Sequence, residues 1–160
     1  MRGSSLALLL ALASTSALAE DLKLDGHRIV LPAPLVFEAG RAEPSSPAPL
    51  APLVAHLAKR EYITLVRVEG HVAGVAPAEA QALSAARALA VARALVAQGV
   101  DCKRLLPVAF GDTKPVADNK TPAGRAQNTR IELHNATLRG RAIGGMPVDG
   151  GGQLAGDPCS

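Results

Sequence analysis

At 160 residues the chain is long enough for one domain with its own core plus appendages, without covalent staples. Its aromatic residues are Phe37, Tyr62 and Phe110, too few to stack successive bases, which argues against a single-strand nucleic-acid binder. The net charge of +3 comes from basic residues scattered along the chain, so neither a polyanion-binding patch nor an anionic-membrane footprint is visible.

Residues 1–19 read as a secretory signal: Arg2 supplies the positive end, residues 6–13 the short apolar stretch, and Ala17-Leu18-Ala19 a small-x-small cleavage site. The mature chain is expected to begin at Glu20. The apolar stretch is well short of the roughly 20 residues a spanning helix needs. The residue after the cleavage point is not Cys, which gives no support for a lipid anchor, and no later apolar run reads as long or uniform enough to span a membrane.

Residues 20–27 form a polar lead. Residues 27–31 and 35–37 read as a first strand interrupted by Pro32 and Pro34, hence an edge, a bulge or two short pieces, because proline cannot donate to a ladder. A Gly/Pro/Ser loop covers 39–47. Leu50, Leu53, Val54 and Leu57 recur at spacings of three and four, predicting a helix that ends at Ala58. The β-branched run 63–68 predicts a strand ending in the turn Glu69-Gly70-His71-Val72-Ala73-Gly74. An Ala-rich helix is expected over 77–98, opened by Pro77, whose missing N–H would be unpaired there anyway, and capped by Gly99. Residues 104–110 read as a further strand, 122–127 as a short helix, and 129–134 as a strand with one wet face. The tail over 137–160 is Gly-rich and expected to be flexible. No internal repeat is apparent. The order β-α-β-α-β-β predicts an α+β two-layer domain with helices on one face of a mixed sheet.

Phe37, Glu69-Gly70-His71, Leu83-Ser84-x-x-Arg87-Ala88, Gly99-Val100, Arg104-Leu105, Gly111-Asp112-x-x-Pro115 and Gly124-Arg125-Ala126-x-Asn128-x-Arg130-Ile131-Glu132 occur in one order and at nearly one spacing. That ordered set resembles the OmpA-like C-terminal domain, found also in peptidoglycan-associated lipoproteins and flagellar stator proteins of the MotB kind. The resemblance covers about residues 28–136. It implies a βαβαββ-type fold, residence in the periplasm or at the outer membrane, and non-covalent binding of peptidoglycan through the diaminopimelate of its stem peptide, with no enzymatic activity and no cofactor. It places Arg87, His71, Gly70, Ser84, Phe37, Asn128 and Arg130 at the ligand site. Other envelope proteins are further candidate partners; nucleic acid is not.

Diaminopimelate ends in an ammonium and a carboxylate on one carbon, so its pocket needs an acceptor carboxylate and an Arg fork. The family takes the acid from a Gly-His-Thr-Asp turn, whereas this chain reads Val72 and Ala73 after His71 and is one residue short before Leu83. The family's Asn-Arg-Arg is Asn128-Thr129-Arg130 here. Glu69 and Glu79 are candidates to replace the missing acid. If none replaces it, the alternative is a periplasmic protein-interaction module that kept the fold and lost the wall.

Independently of any family, Leu83, Arg87, Val91 and Leu95 are spaced four apart, which puts Arg87 in an apolar stripe where a charge is costly unless paired. It is either a ligand anchor, a structural ion pair with Glu69, Asp112 or Glu132, or a side chain that snorkels to the surface. His71 is either a turn residue bonded to backbone or a ligand contact. His27, His56 and His134 show no metal-site spacing with it or with one another, so no metal site is expected. Ser84 lacks a nucleophile elbow or a placed His–acid pair, which leaves a hydrolase reading without support. In an oxidising compartment Cys102 and Cys159 are candidates for an internal bridge, a bridge to another chain, or two free thiols.

Overall fold

The computed structural model describes residues 22–144 and 150–160. The signal segment and its cleavage point lie outside the described residues. The elements are β1 (Lys23–Asp25), β2 (Arg28–Val30), α1 (Ala51–Ala58), β3 (Ile63–His71), α2 (Pro77–Ala97), β4 (Leu105–Gly111), α3 (Pro122–Asn128), β5 (Arg130–Leu138), β6 (Arg141–Ala142) and β7 (Gln153–Leu154). Single 3₁₀ turns, Ala48–Leu50 and Cys102–Arg104, lead into α1 and β4.

The strands form one mixed sheet in the order β1-β2-β5-β3-β4-β7, with β6 on β5. β3 and β4 run parallel and are joined through α2, while β5 is antiparallel to β3 and β2. Parallel neighbours need a crossover, and the Ala-rich α2 supplies it. Leu53 and Leu57 of α1, Val91 and Leu95 of α2, and Val66, Val68 and Leu133 of the sheet meet in one core. Both long helices therefore lie on the face toward which Val66 and Val68 point, as the α+β expectation requires. Strand alternation sends Arg67, Glu69 and His71 to the opposite face.

Gly99 ends α2 at a φ of 99°, a left-handed conformation that lets the Val100 N–H fold back to the Leu95 carbonyl at 3.1 Å. By length and composition α2 is apolar enough to cross a membrane, contrary to the sequence expectation for later segments. Its apolarity serves packing instead, since Ala80, Ala88, Val91, Ala92 and Leu95 are all sealed against the sheet.

Other expectations are also corrected. The polar lead holds β1, which makes a hairpin with β2 through Gly26. Residues 35–37 are not a strand, and Phe37 makes an isolated bridge to Pro44. Glu69, Gly70 and His71 are the last residues of β3 rather than a turn. The expected flexibility of the tail gives way to pairing: β6 adds to β5, and β7 adds to β4 with Val108 opposite Leu154. Beyond β7, Cys159 is disulfide-bonded to Cys102, and the Ser160 hydroxyl accepts from Arg93 on α2.

The bridge spans 57 residues, so its removal frees a long loop in the unfolded chain. On the chain-entropy model Cys102→Ser/Cys159→Ser lowers stability by about 4 kcal/mol, measured by urea denaturation. Oxidised and reduced protein both run as monomer; a reducible dimer contradicts the internal bridge.

Candidate functional site

The site is built where β3 ends against α2. A Cβ on Gly70 would lie 2.1 Å from the Ser84 carbonyl oxygen, so only glycine lets the helix come this close. Ser84 is fully buried; its hydroxyl donates to the Gln81 carbonyl at 2.9 Å and accepts from the Gly111 N–H at 3.0 Å. It locks α2 to the end of β4.

One turn further along α2, Arg87 is 6% exposed. Its Nε donates to the Arg41 carbonyl at 2.9 Å and its Nη2 to the Glu38 carbonyl at 3.2 Å, while the guanidinium carbon stands 4.7 Å from the centroid of the Phe37 ring. Among the described residues no carboxylate lies within ion-pair distance of it, and Nη1 has no hydrogen-bond partner. The pairs considered with Glu69, Asp112 and Glu132 do not form, and the side chain as a whole is buried rather than extended over the surface. Burial alone lowers its pKa. Arg87 is thus a staple under the loop that follows Phe37. That loop carries a recess of about 320 Å³ lined by Glu38, Arg41, Glu43, Pro44 and Ser45.

The turn after β3 is closed on its other side. The Ala73 N–H donates to Thr129 Oγ1 at 3.1 Å, and Arg125 packs over Gly74, whose added Cβ would meet Arg125 Cδ at 2.9 Å. Asn128 is spent on its own neighbourhood: Oδ1 accepts from the Val116 and Ala117 N–H groups, and Nδ2 donates to the Ala117 carbonyl and Asn119 Oδ1.

His71 and Arg130 lie on the other face of the sheet. There Arg67, Glu69 and His71 of β3 stand opposite His134, Glu132 and Arg130 of β5. Arg67 Nε donates to Glu69 Oε1 at 2.5 Å and Arg130 Nε to Glu132 Oε1 at 2.6 Å. His71 Nε2 lies 3.3 Å from Glu69 Oε2, and His134 Nε2 lies 2.9 Å from Glu132 Oε2 and 3.9 Å from Glu69 Oε2. The His71 ring stacks on Phe110 at 5.2 Å. Spacing in the sequence keeps these histidines apart, whereas strand register gathers them around two carboxylates. Among the described residues Glu69, Glu132 and His134 are the group whose ligand atoms, all within 4.8 Å of one another, could hold an ion. Both carboxylates are already committed to arginines.

This network turns the Glu69 carboxylate toward Arg67 and His71 and away from Arg87. Glu79 is exposed in the first turn of α2. The signal for the network was present in the sequence: Arg-x-Glu-x-His occurs at 67–71 and again at 130–134, a short repeat that the sequence reading overlooked.

The Glu132 carboxyl is held at about 2, below its ordinary 4.5, chiefly by the hydrogen bond from His134 and then by Arg130, against the opposing effect of burial. At Glu69 burial pushes upward, but the His71 hydrogen bond and the Arg67 charge outweigh it and the pKa falls.

A model of the OmpA family matches residues 36–129, which take in Phe37, the Gly70–Ser84 contact, Arg87 and Asn128. The chain belongs to the OmpA family. Outer membrane porin F of Pseudomonas fluorescens is 47% identical over 70 residues, 43% of this chain and 22% of that protein. The peptidoglycan-binding protein ArfA of Mycobacterium tuberculosis is 49% identical over 51 residues, 32% of this chain and 16% of that protein. The chain thus spans less than a quarter of the length of these relatives. Among solved structures, the cell wall anchor of the T6SS from Pseudomonas aeruginosa superposes with a TM-score of 0.54 at 31% identity, over 61% of this chain and 72% of that one. OmpA-family architecture accounts for the α+β arrangement of helices over a mixed sheet.

Gly70→Ala forces the Ser84 carbonyl to move and costs at least about 1–3 kcal/mol, read as a lowered urea midpoint. Both glutamates have folded-state pKa values below their unfolded ones, so their contribution is complete above pH 4.5 and is lost as pH falls toward 2. Urea midpoints measured through that window fall with pH, and Glu132→Gln shows a smaller fall.

Proposed function

We propose that this chain is a non-enzymatic cell-envelope module that holds peptidoglycan non-covalently through the diaminopimelate of its stem peptide. The observation that carries this reading is Arg87: an OmpA-family frame keeps a buried guanidinium under the loop that follows Phe37, with Nη1 unspent among the described residues. A carboxylate meets such a fork with charge-assisted hydrogen bonds. The naming of ArfA as a peptidoglycan-binding protein and of the T6SS structure as a cell wall anchor supports the ligand class. Val72 and Ala73 weaken the grip relative to a site with the usual acid. A hydrogen bond to a charged group is worth about 1.5–3 kcal/mol, roughly 10- to 150-fold in affinity.

The second reading, a protein-interaction module that kept the scaffold and lost the wall, is favoured by two observations. The Ala73 N–H is capped by Thr129, and two of the three Arg87 nitrogens are bonded to backbone.

Pull-down on purified diaminopimelate-type sacculi separates the two. Wild type is retained, and Arg87→Ala lowers retention by roughly 10- to 150-fold, with circular dichroism confirming that the variant is folded. Failure of wild type to sediment with sacculi removes the binder reading, while equal retention removes only the role of Arg87.

A further inference from the structure

We propose that the main-chain edge of β5 at Ile131 is a docking site for an extended segment of a partner protein, which joins the sheet as a short antiparallel strand of basic–apolar–acidic sequence. The inference uses neither Arg87 nor the wall.

Three observations carry it. First, the two ladders of β5 differ in length. Its pairing with β3 runs to Arg130, opposite His71, whereas its pairing with β2 stops at Leu133, opposite Ile29. On the β2 side the Asn135 N–H donates to the His27 carbonyl at 2.8 Å. Alternation therefore points the N–H and C=O groups of Asn135, Leu133 and Ile131 to that side. Leu133 meets β2 there, but Ile131 meets no strand. Among the described residues no loop or turn group bonds Ile131 in its place.

Second, the chain that leaves β2 does not close this edge. Pro32 and Pro34 cannot donate to a ladder, and Leu31 and Leu35 pack against the core instead. A groove of about 380 Å³ is left, with Leu31, Pro34 and Leu35 along one wall and Arg130, Ile131 and Glu132 along the other. Third, the charges that flank the open position come in a fixed order. Arg130 and Glu132 point to the face opposite Ile131, and their side chains are 18% and 16% exposed.

Register then specifies the occupant. A residue set opposite Ile131 exchanges two main-chain hydrogen bonds with it and shares its face of the sheet, beside Leu31 and Leu35, so its side chain is apolar. In an antiparallel strand the preceding residue stands opposite Glu132 and the following one opposite Arg130. Opposite charges favour each other across a ladder, which makes the first basic and the second acidic. A lipid or a glycan offers no such alternation of main-chain donor and acceptor.

The test titrates the full chain with the blocked peptide acetyl-Thr-Lys-Val-Glu-Thr-amide and reads assigned amide resonances and their hydrogen exchange. In the free protein the Ile131 N–H exchanges about tenfold or more faster than that of Glu132, which is bonded to β3. Millimolar peptide shifts the Ile131 resonance and slows its exchange toward the Glu132 rate. Methylating the valine nitrogen of the peptide weakens binding roughly 5- to 150-fold, because the Ile131 carbonyl is then left without its donor. Exchanging the lysine and glutamate of the peptide also weakens it. An Ile131 amide already slow in the free protein, or unmoved by the peptide, overturns the proposal. Equal binding of the methylated or charge-exchanged peptide does so too. Protection of Ile131 that rises with protein concentration alone gives the edge to a second copy of the chain and overturns the peptide occupant.

Discussion

The close approach of α2 to β3 at Gly70 is the constraint on which the rest depends. Without a side chain at that position, the Ser84 carbonyl sits where a Cβ would have been. Ser84 can then bond the Gly111 N–H, which ties the ends of both parallel strands to one turn of helix. Arg87 lies one turn later on the same helix face, and that placement sends its guanidinium under the loop from Phe37. A helix lifted by a methyl group would carry Arg87 away from the carbonyls of Glu38 and Arg41. The packing contact and the candidate ligand site are therefore one piece of geometry.

The two faces of the sheet solve different problems. On the helix side, apolar residues from α1, α2, β3 and β5 are sealed from water, and Arg87 is tolerated there because carbonyl oxygens and an aromatic face replace its solvent. On the other side, register sets Glu69 directly opposite Glu132, a like-charge pair that would destabilise the sheet by itself. Each glutamate has an arginine and a histidine on its own strand, so the repulsion is answered from both ends. The depressed carboxyl pKa values record that compensation. The tail completes the cover: Gly152 approaches Val108 and Phe110, where an added Cβ would meet the Phe110 ring at 2.7 Å.

Much of the fold could be read along the chain, because the signals were local. Four-residue spacing marked α1, Pro77 and Gly99 marked the limits of α2, and β-branched runs marked β3. The errors came from residues whose state depends on a distant partner. Glu69, Gly70 and His71 look like a turn, yet β4 and β5 extend β3 through them by pairing on both sides. Residues 153 and 154 are too few to be a strand alone and become one on the free edge of β4. The candidate site divided in the same way. Arg87, Gly70, Ser84 and Phe37 meet around the base of α2, whereas His71 and Arg130 belong to the charged face, and Asn128 organises the loop before α3.

The residue order by itself determined the α+β class, the family, and the place of Arg87 within an apolar stripe, because periodicity and an ordered set of short motifs are properties of the chain. Only the tertiary structure decided what Arg87 touches. Helical spacing states that a side chain faces inward but cannot state whether a carboxylate, a ligand or a carbonyl waits there. The same holds for Arg-x-Glu-x-His: alternation puts the three on one face, and antiparallel register alone sets two such triplets against each other.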